Sequence, residues 1–241
     1  AGQRLMPELS KLYQSLAQIQ AASAAVDIIH EDLVVHAGSG TLPDAMPVPL
    51  GLKEQLVLED VTYHYPNAAH AGVREVSLTI HAGEKIGIVG GTGAGKTTLA
   101  DLILGLLSPS SGRLFADGVE ITEANLRAWQ QTVGYVPQDI FLTDASVTEN
   151  ITLGIPLDEI DQQAIARAAR IAQIDEFIRT ELPEGYATQI GERGVRLSGG
   201  QRQRIGVARA LYHDADLIVF DEATSALDNL TEREVMMAIK A

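Results

Sequence analysis

Between Gly90 and Thr97 the sequence reads GGTGAGKT, a glycine-rich stretch that closes on a lysine and a hydroxyl residue at the spacing G-x-x-x-x-G-K-[ST]. Each position has a physical task. Gly90, Gly91, Gly93 and Gly95, with Thr92 and Ala94 between them, allow backbone conformations in which successive N–H groups point inward at phosphate oxygens, at an approach that a Cβ would block. A helix opening at Lys96 adds the positive end of its dipole. Lys96 is expected to bridge the β- and γ-phosphates, Thr97 to offer its hydroxyl to Mg²⁺, and Thr98 to complete the cradle. The flanks agree: KIGIV before the loop predicts a buried strand, and TTLADLILGL after it predicts a helix. Far downstream, the apolar run LIVF ends in Asp221 and Glu222. A carboxylate at the end of a buried strand beside the loop can hold Mg²⁺ through water, which suits Asp221, and Glu222 then stands where it can polarise an attacking water. Two adjacent acids can instead cap a helix or stand solvated; their place after an apolar strand favours the metal reading.

A second candidate cradle lies at Leu197–Gln201, LSGGQ, ahead of a basic, amphipathic helical stretch. Ser198, Gly199 and Gly200 present a hydroxyl and bare backbone amides at a helix start, which favours an anion without the full wrap of the first loop. Half a cradle suits a ligand already held on its other side. The same residues also read as an ordinary serine-capped helix.

Taken in order, GGTGAGKT, LSGGQ and LIVFDEATSALD resemble the nucleotide-binding domains of ABC transporters, from about Leu52 to the C-terminus. The resemblance implies an ABC-type ATPase that uses ATP and Mg²⁺. It also implies a head-to-tail homodimer or pseudo-dimer, in which Ser198, Gly199, Gly200 and Gln201 of one subunit close over the nucleotide held by the partner's phosphate loop. By the same resemblance Tyr65, followed by Pro66, stacks on adenine, with Tyr63 as the alternative. Gln138 in VPQD senses Mg²⁺ and the γ-phosphate, Asp228 in SALD belongs to the loop that communicates across the dimer, and Glu192 in GERG touches the membrane domain of exporters. The catalytic residues are thus Lys96, Gln138 and Glu222, and the metal residues Thr97, Gln138 and Asp221. The nucleotide falls to Tyr65, the run from Gly90 to Thr98, Gln138, the signature residues and Asp228. The family pattern also has a histidine well beyond Glu222. The sequence reaches Ala241 first, and its six histidines, His213 among them, stand elsewhere, so hydrolysis is expected to need residues past Ala241.

These groups must be positioned by a sheet and the helices around it. QLVLEDVTYHY and VREVSLTIHAGEKIGIVG alternate apolar and polar residues and predict strands, RLFADG and TVGYVPQ return to strand-like chain, and DADLIVFDEAT ends a short apolar strand in acid. Helices are predicted from Thr97 to Leu107, within Leu157 to Ile178, and from Arg202 to Tyr212. The fold class is therefore α/β: a P-loop NTPase with a RecA-like parallel sheet, an antiparallel β subdomain near residues 54–88 and an inserted α-helical subdomain over about 140–200. Ahead of it, Leu5, Leu9, Leu12, Leu16, Ile19 and Val26 form a heptad-like seam, with Ser23 in its one missing step. That helix either packs on its own domain or is made for another. Residues 1–36 are read as this amphipathic helix, extending from a preceding membrane helix, 37–52 as a Gly/Pro-rich linker, and 53–241 as the ATPase domain, truncated at its C-terminus.

With 32 acidic against 18 basic residues, the formal charge of -14 repels nucleic acid and anionic surfaces. The absence of cysteine excludes disulfides and thiolate chemistry. No run reaches the length of a membrane span. The expected whole is an exporter or flippase with its membrane domain on the same full-length chain and this domain on the cytoplasmic face. An importer ATPase would start close to the first strand, and a soluble ABC ATPase acting on DNA or translation predicts a basic face; these are the alternatives.

Overall fold

Strand β1 (Gln55–Tyr63) buries Leu56, Leu58 and Val61 and pairs on both edges. On one side lies β2 (Val73–His81), antiparallel, with Leu58 opposite Leu78; on the other lies β3 (Ser111–Ala116), antiparallel, with Leu58 opposite Leu114. The two-residue β4 (Val119–Glu120) completes a sheet of order β2-β1-β3-β4. A computed structural model of the chain describes residues 47–66, 70–191 and 197–221 continuously, and residues 11, 13–18, 23, 26, 29, 30 and 34 before them. The antiparallel sheet thus reaches beyond the expected 54–88, because β3 pairs with the second edge of β1 and the turn at Asp117 and Gly118 folds β4 back along β3. Asp117 fixes this register: its carboxylate accepts from the backbone N–H groups of Lys53, Glu54 and Gln55 at 2.6, 2.9 and 2.8 Å, and these bonds, Lys53's foremost, hold its pKa below the ordinary value.

The second sheet is a parallel pair, β5 (Val133–Val136) and β6 (Leu217–Phe220), with Val136 level with Phe220. Mixed antiparallel and parallel sheets with flanking helices make the fold α/β, as the motifs require. Two expectations fail here. KIGIV, read as a buried strand, joins neither sheet: Lys85–Val89 is exposed, Ile86 at 39%, Ile88 at 42% and Val89 at 92%. Among the described residues no strand pairs with it. For a related reason β6 is half-buried along its whole length rather than buried, since among the described strands only β5 pairs with it.

Helices α1 (Lys96–Ile103) and α2 (Leu126–Gln130) pack against the antiparallel sheet. Trp129, on α2, is fully buried and donates from Nε1 to Ile103 O at 2.8 Å, satisfying a carbonyl at the end of α1. Then follow α3 (Val147–Ile151), α4 (Gln162–Ile171), α5 (Asp175–Glu181) and the longer α6 (Gly199–Tyr212). Val147, Ile151, Ile165, Ile174, Ile178 and Ile205 bury a separate helical core. The chain divides into two compact units, residues 1–46 and 47–241. In the first, the described positions are helical, and Leu16 and Val26, the seam residues among them, are exposed. No helix among the described residues is long and apolar enough to cross a membrane.

Candidate functional site

The phosphate loop leads directly into α1. Gly95, the residue before the helix, has φ +88°, and a Cβ there would stand 2.2 Å from Gly72 O at the entry to β2, so both backbone shape and space require glycine. Gly93 is left-handed as well, at φ +77°. Gly90, Gly91, Thr92, Gly93 and Ala94 are exposed. Lys96 folds back over them, its Nζ donating to Gly90 O at 3.0 Å and to Gly91 O at 3.1 Å. An ammonium is thereby held at the mouth of the loop, beside the unpaired N–H groups of the first helical turn. Thr97 is exposed on that turn, and Thr98 is buried.

Tyr65 reaches the same helix. Its hydroxyl and the Thr98 hydroxyl are hydrogen-bonded at 3.0 Å, its ring lies against Gly72, and Tyr63 meets it edge-on at 5.0 Å. Tyr63 belongs to β1, opposite Val73, whereas Tyr65 stands beyond the strand end and is 43% exposed. Of the two aromatics, Tyr65 is therefore the one beside the loop with a ring face to offer.

Asp221 follows β6 immediately, and its N–H donates to Val136 O at 3.0 Å, which extends the parallel register by one residue. Gln138 lies two residues past the end of β5 and is exposed. Both groups thus stand at the carboxyl edge of the parallel pair, where α/β folds bind ligands. Asp101 of α1 was not singled out by its sequence, yet it lies four residues, one helical turn, past Thr97, a spacing that could have revealed it. Desolvation, with the nearby Asp221 charge second, raises its pKa. Tyr135 on β5 is raised likewise, by desolvation and then by Asp221 and Asp101. These couplings set the end of β6 next to the helix that carries the phosphate loop.

The donor set fits a magnesium–nucleotide pair. The Thr97 hydroxyl and the Asp221 carboxylate are the hard oxygen ligands that Mg²⁺ prefers, and the exposed loop Gly90–Ala94, where a Cβ on Gly91 or Gly93 would meet nothing within 4 Å, leaves room for phosphate beside Lys96. Among the described residues no three His, Asp or Glu side chains gather to form a protein cage. A magnesium ion here would draw its remaining ligands from phosphate and water, its usual habit.

At the second cradle, Ser198 caps α6. Its hydroxyl accepts from Gln201 N at 3.2 Å while Gln201 Oε1 accepts from Ser198 N at 2.8 Å, a complete capping box. The serine-cap reading therefore holds, and it leaves the anion reading open, because Ser198 and Gly199 are exposed and a Cβ on Gly199 would meet nothing within 4 Å. Gly200 and Gln201 are half-buried. Glu192, Glu222 and Asp228 lie outside the described residues.

The sequence profile of the ABC transporter family matches residues 73–225. The chain is 39% identical to an ATP-dependent lipid A-core flippase of Alkalilimnicola ehrlichii, over 98% of this chain and 39% of that protein. It is 42% identical to ABC transporter B family member 1 of Arabidopsis thaliana, over 82% of this chain and 15% of that protein. A solved structure of a bacterial Atm1-family ABC exporter with ATP bound superposes with a TM-score of 0.72 at 34% identity, covering 83% of this chain and 34% of that one. The chain spans well under half the length of each of these relatives.

Proposed function

The chain belongs to the ABC transporter family, and from that premise we propose that it is the ATP-hydrolysing domain of an exporter or flippase. It works on the cytoplasmic face of a membrane, coupled to a membrane domain on the same full-length protein and to a second nucleotide-binding domain. The observation that carries this reading is the pairing of a lysine-tipped loop at the start of α1 with Asp221 and Gln138 at the edge of the neighbouring parallel pair.

On this reading Tyr65 holds the adenine, and the N–H groups at the start of α1 together with Lys96 hold the phosphates. The Thr97 hydroxyl and the Asp221 carboxylate would hold a magnesium ion, which would supply charge neutralisation at the phosphates. Glu222 orients a water and takes its proton as the water oxygen bonds to the γ-phosphorus and the bond to the ADP oxygen breaks, with Gln138 fixing that water's position. The residues do little covalent work; they position groups and stabilise charge. Ser198, Gly199 and Gly200 close the γ-phosphate site of the partner domain.

The test is nucleotide binding and turnover by the full-length protein. Lys96→Ala removes a charge-assisted contact and is expected to weaken Mg-ATP by about thirtyfold or more, whereas Glu222→Gln keeps binding and loses turnover. Unchanged affinity in the first variant, or normal turnover in the second, would remove the residue concerned from the mechanism.

A further inference from the structure

One side of α6 can be followed turn by turn against the loop that carries Gln138. Half-buried Arg209 donates from Nη2 to Phe141 O at 3.0 Å and from Nε to Asn150 O at 2.8 Å. A turn nearer the helix start, Gly206 leaves a notch that Ile140 fills, for a Cβ there would stand 2.3 Å from Ile140 Cδ1 and 2.8 Å from its Cγ1. Each step back along the loop, from Phe141 to Ile140, is a step toward the start of α6. One turn further stands Gln203, 4% exposed, and the same progression, carried one turn on, brings it level with Asp139 and Gln138. Gln203 Nε2 is the single buried side-chain nitrogen or oxygen without a hydrogen-bond partner among the described residues. A buried amide donor with no acceptor opposes folding, and leucine or methionine would fill the volume without that cost.

We propose that Gln203 is a positioning residue for Gln138. Its amide nitrogen takes a backbone acceptor of Gln138 or Asp139 when that loop moves onto a γ-phosphate, and so ties Gln138 to the helix whose first turn carries Ser198. The proposal rests on the ATPase reading above. It accounts for a polar residue where the helix needs only bulk, and it links the loop of one nucleotide site to the signature that serves the other. Arg209 and Gly206 anchor the loop from behind, so a small shift at residues 138 and 139 is shared with α6.

The experiment measures affinities of the full-length protein for Mg-ADP and for a hydrolysis-resistant Mg-ATP analogue, together with the Tm in the absence of nucleotide, for Gln203→Met and Gln203→Leu. The expected result is an unchanged or raised Tm, unchanged ADP affinity, and ATP-analogue affinity lowered about tenfold. A folded Gln203→Met protein whose ATP-to-ADP affinity ratio equals that of the wild type overturns the proposal, as does equal weakening of both nucleotides. Failure of the wild-type protein to bind either nucleotide sinks the ATPase reading itself, a different outcome from an unchanged ratio.

Discussion

At the residue scale, side chains and backbone define one another around Lys96. Gly95 tolerates neither a Cβ nor an ordinary φ, Lys96 bonds the carbonyls of Gly90 and Gly91, and Thr98 is tied to Tyr65. The last contact separates two properties of Tyr65. Its ring is what adenine would stack on, and its hydroxyl is what Thr98 holds. Tyr65→Phe is therefore expected to keep nucleotide affinity near wild type, while Tyr65→Ala weakens it by up to about tenfold, the usual worth of an aromatic pair. Fluorescent-nucleotide titration of the full-length protein checks this, with Tyr63→Ala as the comparison. If Tyr63→Ala weakens binding and Tyr65→Ala does not, the adenine belongs on Tyr63.

At the element scale, the elements that present the loop were the more legible ones. The alternation in β1 and β2, the glycines before α1 and the serine before α6 are local signals, and each stands where its spacing puts it. What the sequence hid depends on neighbours. The alternation of KIGIV describes a segment able to sit in a sheet, but pairing is a property of two strands. Likewise nothing in a glutamine marks Gln203 as buried, or in an aspartate marks Asp117 as the clamp of three N–H groups. That clamp has a pH signature. The folded carboxylate has a lowered pKa, so its stabilisation is present above the ordinary aspartate value of about 3.9 and is lost as the pH falls through the lowered folded value. Asp117→Ala is expected to lower Tm by about 3 °C or more at neutral pH. The gap between variant and wild type should close under acid, as thermal melts across pH would show. A gap that persists at the lowest pH at which both proteins fold would assign the loss to something other than the carboxylate.

At the scale of the whole molecule, the two cradles are unequal: one is a glycine-rich loop over which Lys96 folds back, and the other is a capped helix start open to solvent. If both served one site in one chain, mixing Lys96→Ala and Ser198→Arg proteins would gain nothing. If each site is shared between chains, the mixed dimer holds one doubly damaged site and one intact site. In a Glu222→Gln background, the mixture of full-length proteins is then expected to form ATP-dependent heterodimers with trapped nucleotide, which neither variant forms alone. Size-exclusion chromatography with labelled ATP measures this, and a mixture that behaves as the average of its parts would leave Ser198 as a helix cap only. The exposed run Lys85–Val89 bears on the chain's integrity as well. An exposed run outside the described sheets is within reach of a protease cleft, and Lys85 provides a cleavage site for a trypsin-like enzyme. One cut there would separate the antiparallel strands β1 and β2 from the glycine-rich loop, leaving Tyr65 on one fragment and Lys96 on the other. Anything that covers this run, whether a sheet neighbour or a partner domain, therefore also shields the connection between Tyr65 and Lys96.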